Sequence, residues 1–206
     1  MKRFVNIGIL IISIFFCLSS PNKSFGNCCY GSGECFHYVD VDLYGRAETM
    51  WCWNGCAQMI LDYWGAYYSQ YTIADYAVDG YNTWTWLWGE GTCGFDCDYP
   101  SLWRIGVNII LDEYEDLYSA CGEFTLYFED CCNQIRSGRP FIIRWHPPGE
   151  PVGHMVVCSS ALRIWGREWL GINDPCDADG EFYFGEYDWV CEGGGHEWDC
   201  TCCNIQ

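Results

Sequence analysis

The chain has 206 residues, half of them apolar and 18% aromatic, and carries a formal net charge of −18. That content is enough for a buried core, while the acidic excess repels phosphate backbones and anionic membrane surfaces and argues against a nucleic-acid partner. Seventeen cysteines argue against a reducing cytosol and for disulfides formed in an oxidising compartment.

In chain order, the first element is a targeting segment. Met1-Lys2-Arg3 precedes an apolar run from Phe4 to Leu18, and small residues lead to Gly26, the layout of a secretory signal peptide. The run is shorter than the ~20 residues that span a bilayer, and neither Cys17 nor Cys28 follows the pattern of a lipoprotein site. The expectation is removal of residues 1–26 and export, secreted or periplasmic, with no membrane association afterwards. Removing Lys2, Arg3 and Lys23 and no acid takes the net charge from −18 to −21, and loss of Cys17 leaves sixteen cysteines. Their connectivity is not fixed by spacing, because adjacent pairs such as Cys131-Cys132 and Cys202-Cys203 usually bond to different partners.

Residues 27–206 read as one domain, since no repeat or low-complexity linker divides them. Within it, 27–44 is a short cysteine-bearing arm and 190–206 a cysteine-rich tail. Over 52–64, Cys56, Ile60 and Trp64 recur at i+4 beside Met59 and Tyr63, while Asn54, Gln58 and Asp62 form a polar stripe. That is an amphipathic helix, with Gly65 as its stop. A second helix is expected from Thr72, whose hydroxyl caps while Asp75 supports the first turn, and a third after Ser101, through Leu102, Ile105, Ile109 and Ile110. Residues 129–136 make a further short helix, Ser137-Gly138-Arg139-Pro140 a turn, and 141–145 an apolar strand. Short strands follow at 154–158, 162–165, 168–172 and 181–189. Helices first and an antiparallel sheet later is an α+β order.

Three strings stand out together: Trp51-Cys52-Trp53 at a helix start, Gly153-His154-Met155-Val156-Val157 on a strand, and Ile172-Asn173-Asp174-Pro175 at a strand end. A helix N-terminus and a neighbouring imidazolium both favour the thiolate, so Cys52 is a candidate nucleophile. His154 would then hold and deliver the proton, with Asp174, or its neighbour Asn173, fixing the ring. Taken singly, each has a plain reading: Cys52 as half a disulfide, His154 as a core histidine, Asn173-Asp174-Pro175 as a turn. Their combination favours the chemical one, although an even count of sixteen then leaves a second cysteine unpaired or paired between chains.

The segment Met50-Trp51-Cys52-Trp53-Asn54-Gly55-Cys56-Ala57-Gln58-Met59-Ile60 resembles the nucleophile helix of bacterial papain-like cysteine peptidases. That group includes secreted effector peptidases of plant pathogens and, more distantly, bacteriocin-processing peptidase domains. Gly138-Arg139-Pro140 before an apolar strand, then Gly153-His154-Met155-Val156-Val157 and Ile172-Asn173-Asp174-Pro175, resemble the family's histidine strand and Asp-Pro corner over about Tyr44 to Trp189. The resemblance implies an N-terminal helical lobe packed on an antiparallel sheet lobe, a peptide or protein substrate, no cofactor, and an endopeptidase with Cys52 as nucleophile, His154 as base and Asp174 as orienting residue. Two departures stand out. Arg46 occupies the position, six residues before the cysteine, where the family usually has a glutamine that binds the oxyanion, and Asn54-Gly55 replaces two alanine-like residues. Arg46 can donate hydrogen bonds with the Cys52 backbone N–H, at the risk of the roughly 100- to 1000-fold loss that follows a misplaced donor.

Other clusters have plainer readings. Cys93 and Cys97, and His196 with Cys200, Cys202 and Cys203, have metal-like spacing, but in an exported chain disulfides are expected and no metal. Trp84, Trp86 and Trp88 alternate as one face of an extended segment, read as core rather than as a carbohydrate groove, and Tyr187 is read as packing. The competing function is an inactive, disulfide-stabilised papain-like protein that binds a partner without cutting it.

Overall fold

The computed structural model describes residues 22–25, 33–48, 51–77, 107–148 and 153–206. The tryptophans at 84, 86 and 88, the Cys93 and Cys97 pair, and the expected start of the third helix lie outside the described residues. Within them the chain adopts the expected α+β class, but the sheet is the larger part. Its strands are β1 (Asn22–Phe25), β2 (Cys35–Val39), β3 (Ala120–Gly122), β4 (Phe141–His146), β5 (His154–Ile164), β6 (Arg167–Asp174), β7 (Glu181–Glu186), β8 (Glu192–Gly193) and β9 (His196–Cys203). Every pairing is antiparallel. β5 is the central strand: β4 takes the first half of one edge, β2 the second half, and β6 the other edge.

Burial explains that centrality. Met155 to Ala161 are buried without a break, so this stretch is covered on both faces and loses the period-two alternation of a half-exposed strand. Two readings of the sequence are revised here. The stretches 154–158 and 162–165 are one strand, whose register shifts between Cys158 and Ser160, a bulge that inserts one residue without ending the pairing. The segment 181–189 is a strand only to Glu186, after which α5 (Tyr187–Cys191) turns away. The arm contributes β2, the tail contributes β9, and β1 lies within the stretch read as a leader. β5 and β6 join through Trp165 and Gly166, at φ 51° and 73°, the pair of positive values that a two-residue hairpin turn requires.

The remaining helices are α1 (Cys52–Tyr63), α2 (Gln70–Ala77), α3 (Val107–Glu115) and α4 (Phe128–Arg136). α1 packs on β5 and carries α2 and α3 on its flanks, while α4 packs on β5 and β2. As the i+4 pattern requires, Cys56, Met59 and Ile60 are fully buried, and Gly65 ends the helix at φ 93°. α2 begins two residues earlier than the sequence suggests. Ser69 is its cap, accepting from the Thr72 N–H at 3.1 Å, because a cap serves the N–H three positions on. Arg163, almost fully buried, pairs with Glu168 and Glu129 and so fastens α4 to the β5–β6 hairpin.

A Cys121–Cys202 disulfide joins β3 to β9 at paired positions, and Cys35 is disulfide-bonded as well. No helix among the described residues is long and apolar enough to cross a membrane.

Candidate active site

Cys52 is the first residue of α1. The helix start has no side-chain cap and no acid in its first turn, so no carboxylate offsets the positive end of its dipole, and negative charge at Cys52 is favoured. The sequence also brings this helix end unusually close to the loop after β6. A Cβ built on Gly55 would lie 2.8 Å from the Cβ of Pro175, the residue that follows Asp174. The glycine that departs from the family pattern is therefore the one that lets the Asp174-Pro175 corner touch α1. Gly55→Ala gains up to ~1 kcal/mol of helix propensity and loses about 1–3 kcal/mol to overpacking against a rigid ring. We expect a lower melting temperature, read by calorimetry.

His154 opens β5 and Asp174 closes β6, and these neighbouring strands deliver both side chains to the same end of the sheet. The His154 Nε2–H donates to Asp174 Oδ1 at 2.6 Å, and the same imidazole is hydrogen-bonded to the Cys52 side chain. With Nε2 committed to the carboxylate, Nδ1 is the nitrogen left to face the sulfur. Burial alone lowers the basicity of His154, but the hydrogen bonds and charges of Asp174 and Cys52 outweigh it and push its pKa up to about 10. The ring is thus an imidazolium held between two acceptors of positive charge. The other oxygen of Asp174 accepts from Tyr183 Oη at 3.3 Å, and burial, reinforced by that carboxylate, raises the Tyr183 phenol far above its ordinary value.

Asn173 does not join this group. Successive strand residues face opposite sides of a sheet, and its amide is spent on the Val41 carbonyl at 3.1 Å and the Ser159 hydroxyl at 2.6 Å. The hydrogen bond to the His154 ring is made by Asp174, and Asn173 instead ties β5, β6 and the residues after β2 together.

Arg46 lies in a segment stitched from both sides. Its N–H donates to the Asp177 carbonyl at 2.8 Å. Gln70 holds both neighbours, donating to Gly45 O and accepting from the Ala47 N–H, each at 2.7 Å. A Cβ on Gly45 would come within 2.1 Å of Asp177 O, so only glycine permits the approach. The Arg46 guanidinium makes no hydrogen bond or ion pair among the described residues.

Three residues that the sequence did not single out, Trp145, Trp189 and Tyr183, lie near the imidazole together with His196, which the sequence offered only for its metal-like spacing. Trp145 is the register partner of His154 on β4, with ring centroids 6.1 Å apart, and its indole N–H donates to Val190 O. His196 stacks on Trp145 at 4.5 Å and meets Trp189 edge-on. Burial, with the charge of His154, holds the His196 pKa below its ordinary value. Tyr183 completes the set through Asp174. Tyr187, read as packing, donates to Leu126 O and meets Phe128 edge-on. Among the described residues no group of three or more His, Cys, Asp or Glu side chains is placed to hold a metal ion.

No curated protein matches the chain. A family model does, that of the Peptidase_C39 like family, over residues 38–191, a span that holds α1, β5 and β6 and all three residues of the hydrogen-bonded group. With most of its length inside that match, the chain belongs to the Peptidase_C39 like family, of cysteine-peptidase kind.

Proposed function

We propose that the protein is an exported endopeptidase that hydrolyses peptide bonds through Cys52, His154 and Asp174, with the helical and sheet parts facing each other as in papain-like enzymes. The observation that carries this reading is the His154 ring, bonded on one side to Asp174 and on the other to Cys52. The Cys52 thiolate attacks the scissile carbonyl carbon, forming a carbon–sulfur bond and a tetrahedral oxyanion. Collapse breaks the carbon–nitrogen bond, and the His154 imidazolium gives its proton to the departing amine, leaving a thioester. Neutral His154 then takes a proton from water, hydroxide attacks the thioester, and the second collapse releases the acid and the thiolate. Asp174 keeps the imidazole in the tautomer and orientation that both steps need.

Arg46 and the Cys52 backbone N–H are the proposed oxyanion donors, the guanidinium swinging in when substrate is present. Arg46→Ala, which leaves no side-chain donor, is expected to lower kcat/KM about 100-fold; an unchanged kcat/KM in that variant, or in Arg46→Gln, would make the guanidinium role wrong.

The replacement of the usual glutamine by Arg46 favours a second reading, a binding protein that kept the fold and lost turnover. Alkylation separates the two. Iodoacetamide or an epoxysuccinyl warhead on the intact protein is expected to label Cys52, with labelling lost in His154→Ala, and an inert Cys52 would leave the binding protein as the better account.

A further inference from the structure

Outside the Cys52 site, on the polar flank of α1, Tyr44, Gln58, Asp62, Tyr67, Tyr68 and Ser69 enclose a pocket of about 210 Å³. Gln58 and Asp62 follow Cys52 by roughly 9 and 15 Å along the helix at 1.5 Å per residue, so this space is separate from the thiol. The polar stripe read from the sequence therefore faces a docking seam and a pocket. Asn54 donates to Gln70 O. The Gln58 amide is used up between Tyr68 O and the Gln70 amide, which leaves Asp62 as the charged group of the wall.

Asp62 is only half satisfied. Tyr44 Oη donates to its Oδ2 at 2.6 Å, and that bond, with burial, pushes the Tyr44 phenol up to about 12, so the tyrosine keeps its proton. The other oxygen, Oδ1, is buried and accepts no hydrogen bond among the described residues. That oxygen is closed off from the open space, so a head group in the pocket would meet the carboxylate through its charge and its Oδ2 edge, and no lysine, arginine or histidine among the described residues lines the pocket.

Around the carboxylate stand three tyrosines. Tyr68 is braced by Tyr114, with ring centroids 4.3 Å apart, whereas Tyr67 is 82% exposed and forms the rim. Aromatic faces attract a cation through their quadrupole, and organic ammonium and guanidinium groups are the cations that rings of this kind recognise. A hard metal ion would demand several oxygen ligands, and the pocket offers one carboxylate. Its volume is below the ~300–1,000 Å³ of sites that enclose whole ligands, which suits one head group at the end of a chain. The net charge of −18 concentrates such cations near the surface.

We propose that this pocket binds an organic cation, the ammonium or guanidinium head of a lysine or arginine side chain, between the Asp62 carboxylate and the rings of Tyr44, Tyr67 and Tyr68. The site goes beyond the peptidase reading and does not depend on turnover.

The test is a titration of the intact protein with Nα-acetyl-lysine methylamide and its arginine counterpart, followed by NMR shifts or calorimetry. Saturable binding of both is expected, with none of the norleucine analogue, which has a similar stem and no charge. Tyr67→Ala removes an exposed ring without touching the core and should weaken binding about 2- to 30-fold. Asp62→Asn keeps an acceptor for Tyr44 but removes the charge, and should weaken it about tenfold or more. Equal binding of the norleucine analogue, or unchanged affinity in both variants, overturns the proposal. Binding of tetramethylammonium with no binding of either amino-acid amide would assign the pocket to free quaternary amines and overturn the side-chain assignment.

Discussion

Cys52→Ala is expected to lower kcat/KM on a peptide substrate by about 10⁴- to 10⁶-fold, with a melting temperature close to that of the parent chain. The side chain is buried at the tip of α1, and exchanging one sulfur for hydrogen there removes little packing, so the loss is chemical. His154→Ala should fall in the same range. The double variant should be little worse than either alone, because thiolate and imidazolium act as one unit and their effects do not add. Turnover of Cys52→Ala within tenfold of the parent would remove the thiol from the mechanism.

The second large effect is expected at Asp174→Asn. An amide in place of the carboxylate removes the negative charge that sustains the His154 imidazolium and can present N–H to Nε2, which selects the wrong tautomer. Turnover near neutral pH should fall about 10²- to 10⁴-fold. His154 stands at about 10, above its ordinary 6.5, so the stability it contributes is fully present below pH about 6.5 and is lost as pH rises through about 10. The alkaline limb of kcat/KM should follow the same titration. In Asp174→Asn that limb should move to lower pH, and the pH dependence of the unfolding free energy across this window should flatten. An alkaline limb that does not move would assign it to another group.

Legibility in the sequence followed how locally each feature is encoded. α1 and β4 were readable because an i+4 pattern or a compact apolar run is visible within one window. Cys52, His154 and Asp174 stood out because each sits in a distinctive string, although only the antiparallel register of β5 and β6 explains how their ends converge. β9 was hidden because Cys200, Cys202 and Cys203, all buried on the strand, lie in a stretch that reads as a disulfide-bearing tail. The gap left between 158 and 162 falls on Ser159-Ser160-Ala161, where the larger apolar side chains of 155–157 give way to small ones. Ser160 instead faces Gly171 across the sheet, where a Cβ would come within 1.8 Å of the hydroxyl. Trp145 and Tyr183 left no local signal, and His196 drew notice only for its spacing to nearby cysteines, since their relation to His154 arises from strand pairing between distant segments.

Gly45, Arg46 and Ala47 are fastened at once to the Asp177 turn and to Gln70, while Pro175 bears on Gly55. The strip that ends in Arg46 and the turn that follows Asp174 behave as one splint across the mouth of α1. Lengthening that turn by even a residue would be felt as far away as Arg46.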